Sequence, residues 1–141
     1  MQLNPYLAFN GNCKQAFEFY AKQLGGKIEM MLTHRESPMA KEAPPEWQDK
    51  IMHASMTLDG HVLMGGDAPP NHYKQPQGFS VSVSIKKAKD AERIFQALAE
   101  KGQVQMPIQE TFWAERFGMV TDRFGIPWMV NCEKPNNGSA H

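Results

Sequence analysis

"FSVSVSIKKAKDAERIFQALAEKG", residues 79–102, changes its period halfway along, and that change decides the fold. From Ser80 to Ile85 serine alternates with branched apolar residues. Strand side chains point to opposite faces in turn, so Val81, Val83 and Ile85 share one face, and Ser80, Ser82 and Ser84 the other. From Lys86 onward the apolar residues recur at helical spacing. Ala88, Ala91, Ile94, Phe95 and Leu98 fall on one side of a helix that Gly102 ends. The segment is a half-buried strand followed by an amphipathic helix.

The same unit occurs earlier. "PYLAFN" reads as a strand, and "GNCKQAFEFYAKQLGG" as a helix with Cys13, Phe17, Tyr20 and Leu24 on one face. Asn12 is its expected N-cap, Gln15 the capping-box partner, and Gly25-Gly26 its stop. An irregular strand and a hairpin follow each helix. "IMHASMTLDGHVLMGGD" turns at Asp59-Gly60, and "ERFGMVTDRFGIPWMVNC" turns between Asp122 and Gly125. The chain is therefore a duplicated βαβββ unit, with modules at 1–67 and 76–133 and a Pro-rich linker, "APPNHYKQPQ", between them. Each helix has a single apolar stripe, so both pack on one side of the strands. The expected class is α+β: one domain over 1–141, its mostly antiparallel sheet U-shaped, with the helices outside and a groove inside. The serine face looks either into that groove or out to water.

The 141 residues carry 15 basic and 15 acidic side chains, a net charge of zero, which gives no electrostatic ground for a nucleic-acid partner or an anionic membrane. No apolar run reaches membrane-spanning length, and the N-terminus lacks the pattern of a signal peptide. Cys13 and Cys132 are too few for a disulfide framework and lack metal-type spacing, which points to a reduced, cytoplasmic compartment. The polar tail, 134–141, is expected to be flexible.

The motifs "NPYLAFNGNCKQAFEFYAKQLGGK", "IMHASMTLDGHVLMGGD" and "FWAERFGMVTDRFGIPWMVNCE" resemble the PhnB-like branch of the vicinal oxygen chelate superfamily, the glyoxalase/bleomycin-resistance/dioxygenase fold. The resemblance covers roughly residues 2–133. It implies paired βαβββ modules and a homodimer. In the superfamily's metal enzymes it implies one divalent ion held by His or Glu side chains from the first and last strand regions of each module. Counting from the shared motifs puts those places at Pro5, His53, Ser80 and Met129. Only His53 is a competent ligand there. Pro5 has no donor, Ser80 is poor for zinc, and Met129 is a soft thioether. A divalent metal is thus disfavoured and no other cofactor is indicated. A methyltransferase reading finds no glycine-rich loop after a strand to hold a nucleoside cofactor.

The candidate binding residues are His53, Ser55, Met64, Ser80, Trp113, Phe117 and Met129. His53 shares a strand face with Ser55 and Thr57, and is either a hydrogen-bonded structural histidine or a ligand-contacting, acid–base group. The tight turn puts Met64 beside Ser55, where with Met129 it gives an adaptable lining. Phe112 and Trp113 either close a pocket together with Phe117 or plug a core edge or dimer seam. Trp128 is expected in the core. Arg123 is an exposed corner or the partner of Asp122. Residues 33–50 are a lid or a surface excursion. The expected protein is a homodimer that binds a small molecule without a tightly held metal. Its rivals are a metal-dependent lyase, isomerase or dioxygenase using His53, and a non-catalytic dimer with a filled groove.

Overall fold

The computed structural model describes residues 1–135. They divide into two compact units, the first Met1–Gln75 and the second beginning at Pro76. The first runs β1 (Tyr6–Phe9), α1 (Cys13–Leu24), β2 (Lys27–Thr33), β3 (Ile51–Leu58) and β4 (His61–Asp67). The second repeats the order with β5 (Val81–Ser84), α2 (Ala88–Ala99), β6 (Gln103–Gln109), β7 (Ala114–Thr121) and β8 (Pro127–Glu133). Each unit holds a four-stranded sheet, ordered β1-β4-β3-β2 and β5-β8-β7-β6. The pairs β1–β4 and β5–β8 are parallel and the others antiparallel. The α+β class and the duplicated βαβββ order are those expected. Residues 136–141 of the expected tail lie outside the described residues.

Each helix packs its apolar stripe on one face of its own sheet. In the first unit Cys13, Ala16, Phe17 and Tyr20 are fully buried, with Leu7, Phe9 and Ala54. In the second, Ala91, Ile94, Phe95 and Leu98 cover Val120, Trp128 and Val130. Trp128 is in the core, as expected. The first hairpin is tight because Asp59 (φ 49°) and Gly60 (φ 84°) both take the left-handed conformation that a two-residue turn of this hand requires. It pairs Leu58 with His61.

Local expectations differ at three places. The Asn12 side chain makes no cap hydrogen bond, so the box with Gln15 is not formed. The α1 N-terminus is satisfied by a carboxylate from the far end of the unit. Asp67 Oδ1 accepts from the Gly11 and Cys13 N–H groups, at 3.0 and 2.9 Å, and its Oδ2 accepts from Ile51 N–H at 2.8 Å. An anion at a helix N-terminus also meets the favourable end of the helix dipole. Secondly, α2 ends at Ala99 with an extended Glu100 as its C-cap, and the left-handed residue of the turn that follows is Lys101 (φ 59°), not Gly102. Gly102 serves close packing instead, since a Cβ there would run into Thr121 O. Thirdly, Arg123 is half-buried rather than an exposed corner, and it pairs with Glu100 at 2.9 Å. Asp122 is buried, and its carboxylate accepts from Phe124 N–H, Ile126 N–H and Trp128 Nε1–H.

Residues 33–50 are tied down. His34 and Arg35 extend the ladder of β2 to Lys50 and Gln48. Gln48 Nε2 donates to Ala40 O and Ala43 O, Lys50 Nζ donates to Gly11 O, and Trp47 is buried. The segment is anchored beside the N-terminus of α1. Of the strands that end a sheet, β2 and β6 both contain register shifts, and β6 carries Pro107.

Candidate functional site

In the first unit, alternation along β3 sends Ala54 and Met56 under α1, so His53, Ser55 and Thr57 lie on the face that no helix covers. β4 follows the same rule. Met64 pairs with Ser55 and Val62 with Thr57, as the tight turn requires. Gly65 points the other way, because a Cβ there would meet the rings of Phe17 and Phe9.

β1 contributes a residue that the motif count passed over. Tyr6 leans across β4 at Gly66, where a Cβ would lie 2.8 Å from its hydroxyl oxygen. The hydroxyl donates to Met52 O at 3.2 Å, and the ring stacks with His53, centroids 5.8 Å apart and planes 30° apart. Burial, and then the neighbouring Cys13 and Asp67, raise the Tyr6 pKa above its usual value, so it stays a neutral phenol. Tyr6 and Ala8 therefore hold the helix-free side of β1. Pro5 has the parity of buried Leu7 and Phe9, which corrects its place on the inward face. His53 itself stands on the third strand of its unit, not the last.

In the second unit the serine register is as read. Val81 and Val83 pair with the buried Trp128 and Val130, while Ser82 and Ser84 pair with Met129 and Asn131. On the next strand Met119 faces Met129 and Phe117 faces Asn131. The helix-free face thus carries one row of Ser82, Met129 and Met119, and another of Ser84, Asn131 and Phe117. Ser80 has the same parity but lies just before β5. Phe117 is buried, Trp113 stands against it at 5.3 Å, and Phe112 lies beyond Trp113 at 4.8 Å. Phe112 is 87% exposed, so it plugs no core within its unit. Asn131 was missed by sequence reasoning. Its Oδ1 is buried without a hydrogen-bond partner, and the signal was a lone amide in the alternating "WMVNC".

The expected binding residues fall on two surfaces. His53, Ser55 and Met64 are brought together in the first unit; in the second, Met129 lies one row from Phe117 and its neighbour Trp113, while Ser80 stands apart, beyond the Ser82–Met129 row at the other end of the face. The donor set does not fit a divalent ion: an imidazole, a hydroxyl, a thioether and a proline offer one good ligand. Among the described residues no three His, Cys, Asp or Glu side chains cluster as ligands. Both cysteines are buried and their thiols are pushed up, chiefly by burial, so neither is an activated nucleophile. Among the described residues no helix is long and apolar enough to cross a membrane.

Comparison with known proteins adds the following. The family described as 3-demethylubiquinone-9 3-methyltransferase matches residues 1–131. Protein YjdN of Escherichia coli (strain K12) is 37% identical over 142 residues, covering 95% of this chain and 97% of YjdN. The crystal structure of protein PA1353 from Pseudomonas aeruginosa is 50% identical, with TM-score 0.87, covering 94% of this chain and 98% of that one. A glyoxylase/bleomycin resistance protein/dioxygenase domain from Frankia sp. EAN1pec shares the fold at 12% identity, with TM-score 0.66, covering 100% of this chain and 98% of its own.

Proposed function

The chain belongs to the PhnB-like 3-demethylubiquinone-9 3-methyltransferase family, within the glyoxalase/bleomycin-resistance/dioxygenase fold, and on that premise we propose that it binds a small molecule on its helix-free sheet faces, as a cytoplasmic homodimer without a tightly held metal. The observation that carries this reading is the build of the first unit's face. An imidazole, a serine, a methionine and a half-exposed tyrosine stand together there, adjacent in register and open on one side. A few convergent polar groups among apolar and aromatic ones are the usual composition of a ligand site. Ser82 and Ser84 on the second unit's face keep side-chain volume low and supply hydroxyls that both donate and accept.

The methyltransferase activity in the family's description is not carried over. A methyl donor such as a nucleoside cofactor calls for a glycine-rich turn between strand and helix. The turns here, Asn10–Asn12 and Ile85–Lys87, hold one glycine and none.

Protein purified with zinc, nickel or manganese present and then dialysed should retain well under one ion per chain. Elemental analysis finding a full ion that disappears in His53→Ala would replace this reading with the metal-enzyme one. In a thermal-shift screen of metabolites, Ser55→Leu or Ser80→Leu should remove the response to any hit. Their own melting temperatures should stay within a few degrees, since about 1 kcal/mol moves a chain of this size by roughly 3–6 °C. A monomer in sedimentation at micromolar concentration would remove the dimer from the proposal.

A further inference from the structure

We infer that Tyr6 is a specificity-determining residue of the His53 face, selecting flat, conjugated ligands over puckered ones of equal size; the inference rests on the binding reading above. Tyr6 is 52% exposed although both ends of its side chain are fixed. Its Cα belongs to β1, its hydroxyl is bonded to Met52 O on β3, and the bare backbone of Gly66 on β4 leaves room for it to cross. The ring therefore bridges three strands and is not free to turn aside. His53 stacks against the Tyr6 ring, centroids 5.8 Å apart and planes 30° apart, and so adds a third restraint on its orientation. Met30, 49% exposed and in register with Ser55, and Met64 on the same row supply polarisable, adaptable neighbours.

A half-exposed aromatic ring held in place favours a flat partner for two reasons. Stacking on an aromatic ring adds to simple burial of apolar area, and a surface already held in place loses little freedom when the ligand arrives. A puckered saturated ring touches such a plane at fewer atoms. Simple transfer from water favours the saturated ring, which is the more apolar, so a preference for the flat one isolates the stacking contribution.

The test uses 2-naphthol and decahydro-2-naphthol, which share a carbon count and a hydroxyl. Binding to the full-length ¹⁵N-labelled protein is followed by NMR titration. The wild type should bind 2-naphthol roughly three- to tenfold more tightly, the range expected of one aromatic pair. Amide shifts should centre on Tyr6, His53, Ser55 and Gly66. Tyr6→Leu should erase the preference and Tyr6→Phe should keep most of it; Tyr6→Val is the second test if the leucine variant does not fold. A preference that survives loss of the ring overturns the inference. Equal binding of both probes, abolished by Ser55→Leu, also overturns it while leaving the binding face in place. No shift on this face with either probe counts against both.

Discussion

Asp67→Asn should lower stability by about 3–5 kcal/mol, since a charged acceptor is lost and buried donors are left facing a new donor. The melting temperature should fall by roughly 10–20 °C on the scaling for chains of this length. Asp67 is 5% exposed and its two oxygens serve three backbone N–H groups on two otherwise separate stretches, Gly11 and Cys13 on one side and Ile51 on the other. Asparagine keeps the shape but turns one acceptor into an NH₂. Whichever way the amide is placed, that NH₂ faces an N–H group, either that of Ile51 or the pair at the start of α1. Circular dichroism melts measure the loss, and hydrogen exchange should show the Gly11, Cys13 and Ile51 amides losing protection together. A fall of less than about 3 °C would mean that Asp67 is not the tie described here.

Asp122→Ala should cost the second unit a comparable amount, about 3–4 kcal/mol, by leaving buried donors without an acceptor. The carboxylate accepts from Phe124 N–H and Ile126 N–H at 2.9 and 3.0 Å and from the Trp128 indole at 2.8 Å. It thereby shapes the β7–β8 turn and fixes the largest fully buried side chain of the molecule. The indole absorbs and fluoresces, so Trp128 emission should shift to the red in the variant before the main thermal transition. An unchanged emission maximum, with an unchanged melting temperature, would contradict this account.

The parts of the fold that were legible in the sequence are those set by period. The alternation at Val81–Ser84, the two helical stripes and the Asp59-Gly60 turn each specify their geometry within a few residues. From them follow the faces of His53, Ser55, Met64 and Met129. What was not legible depends on contacts across long separations. Asp67 caps a helix that starts 54 positions earlier, and no local pattern announces that; Asn12, adjacent to the helix, was the natural choice. Tyr6 was missed for a different reason. "YLAF" is apolar at every position, so a four-residue strand has no alternation to set its phase, and counting from a motif chose Pro5, one residue off. The space at Gly66 and the bond to Met52 O, both on distant strands, fix which side chain faces His53.

The outer strands have a bearing on what the protein avoids. β2 and β6 each end a sheet and would offer a row of unpaired N–H and C=O groups to a strand of another chain. Both are broken in register, and Pro107 removes an N–H from β6 altogether. An incoming strand meets an interrupted ladder at these two edges, so fibril growth has no clean template along β2 or β6. Self-association on that side of each sheet is left to side-chain surfaces, where it can be specific and finite.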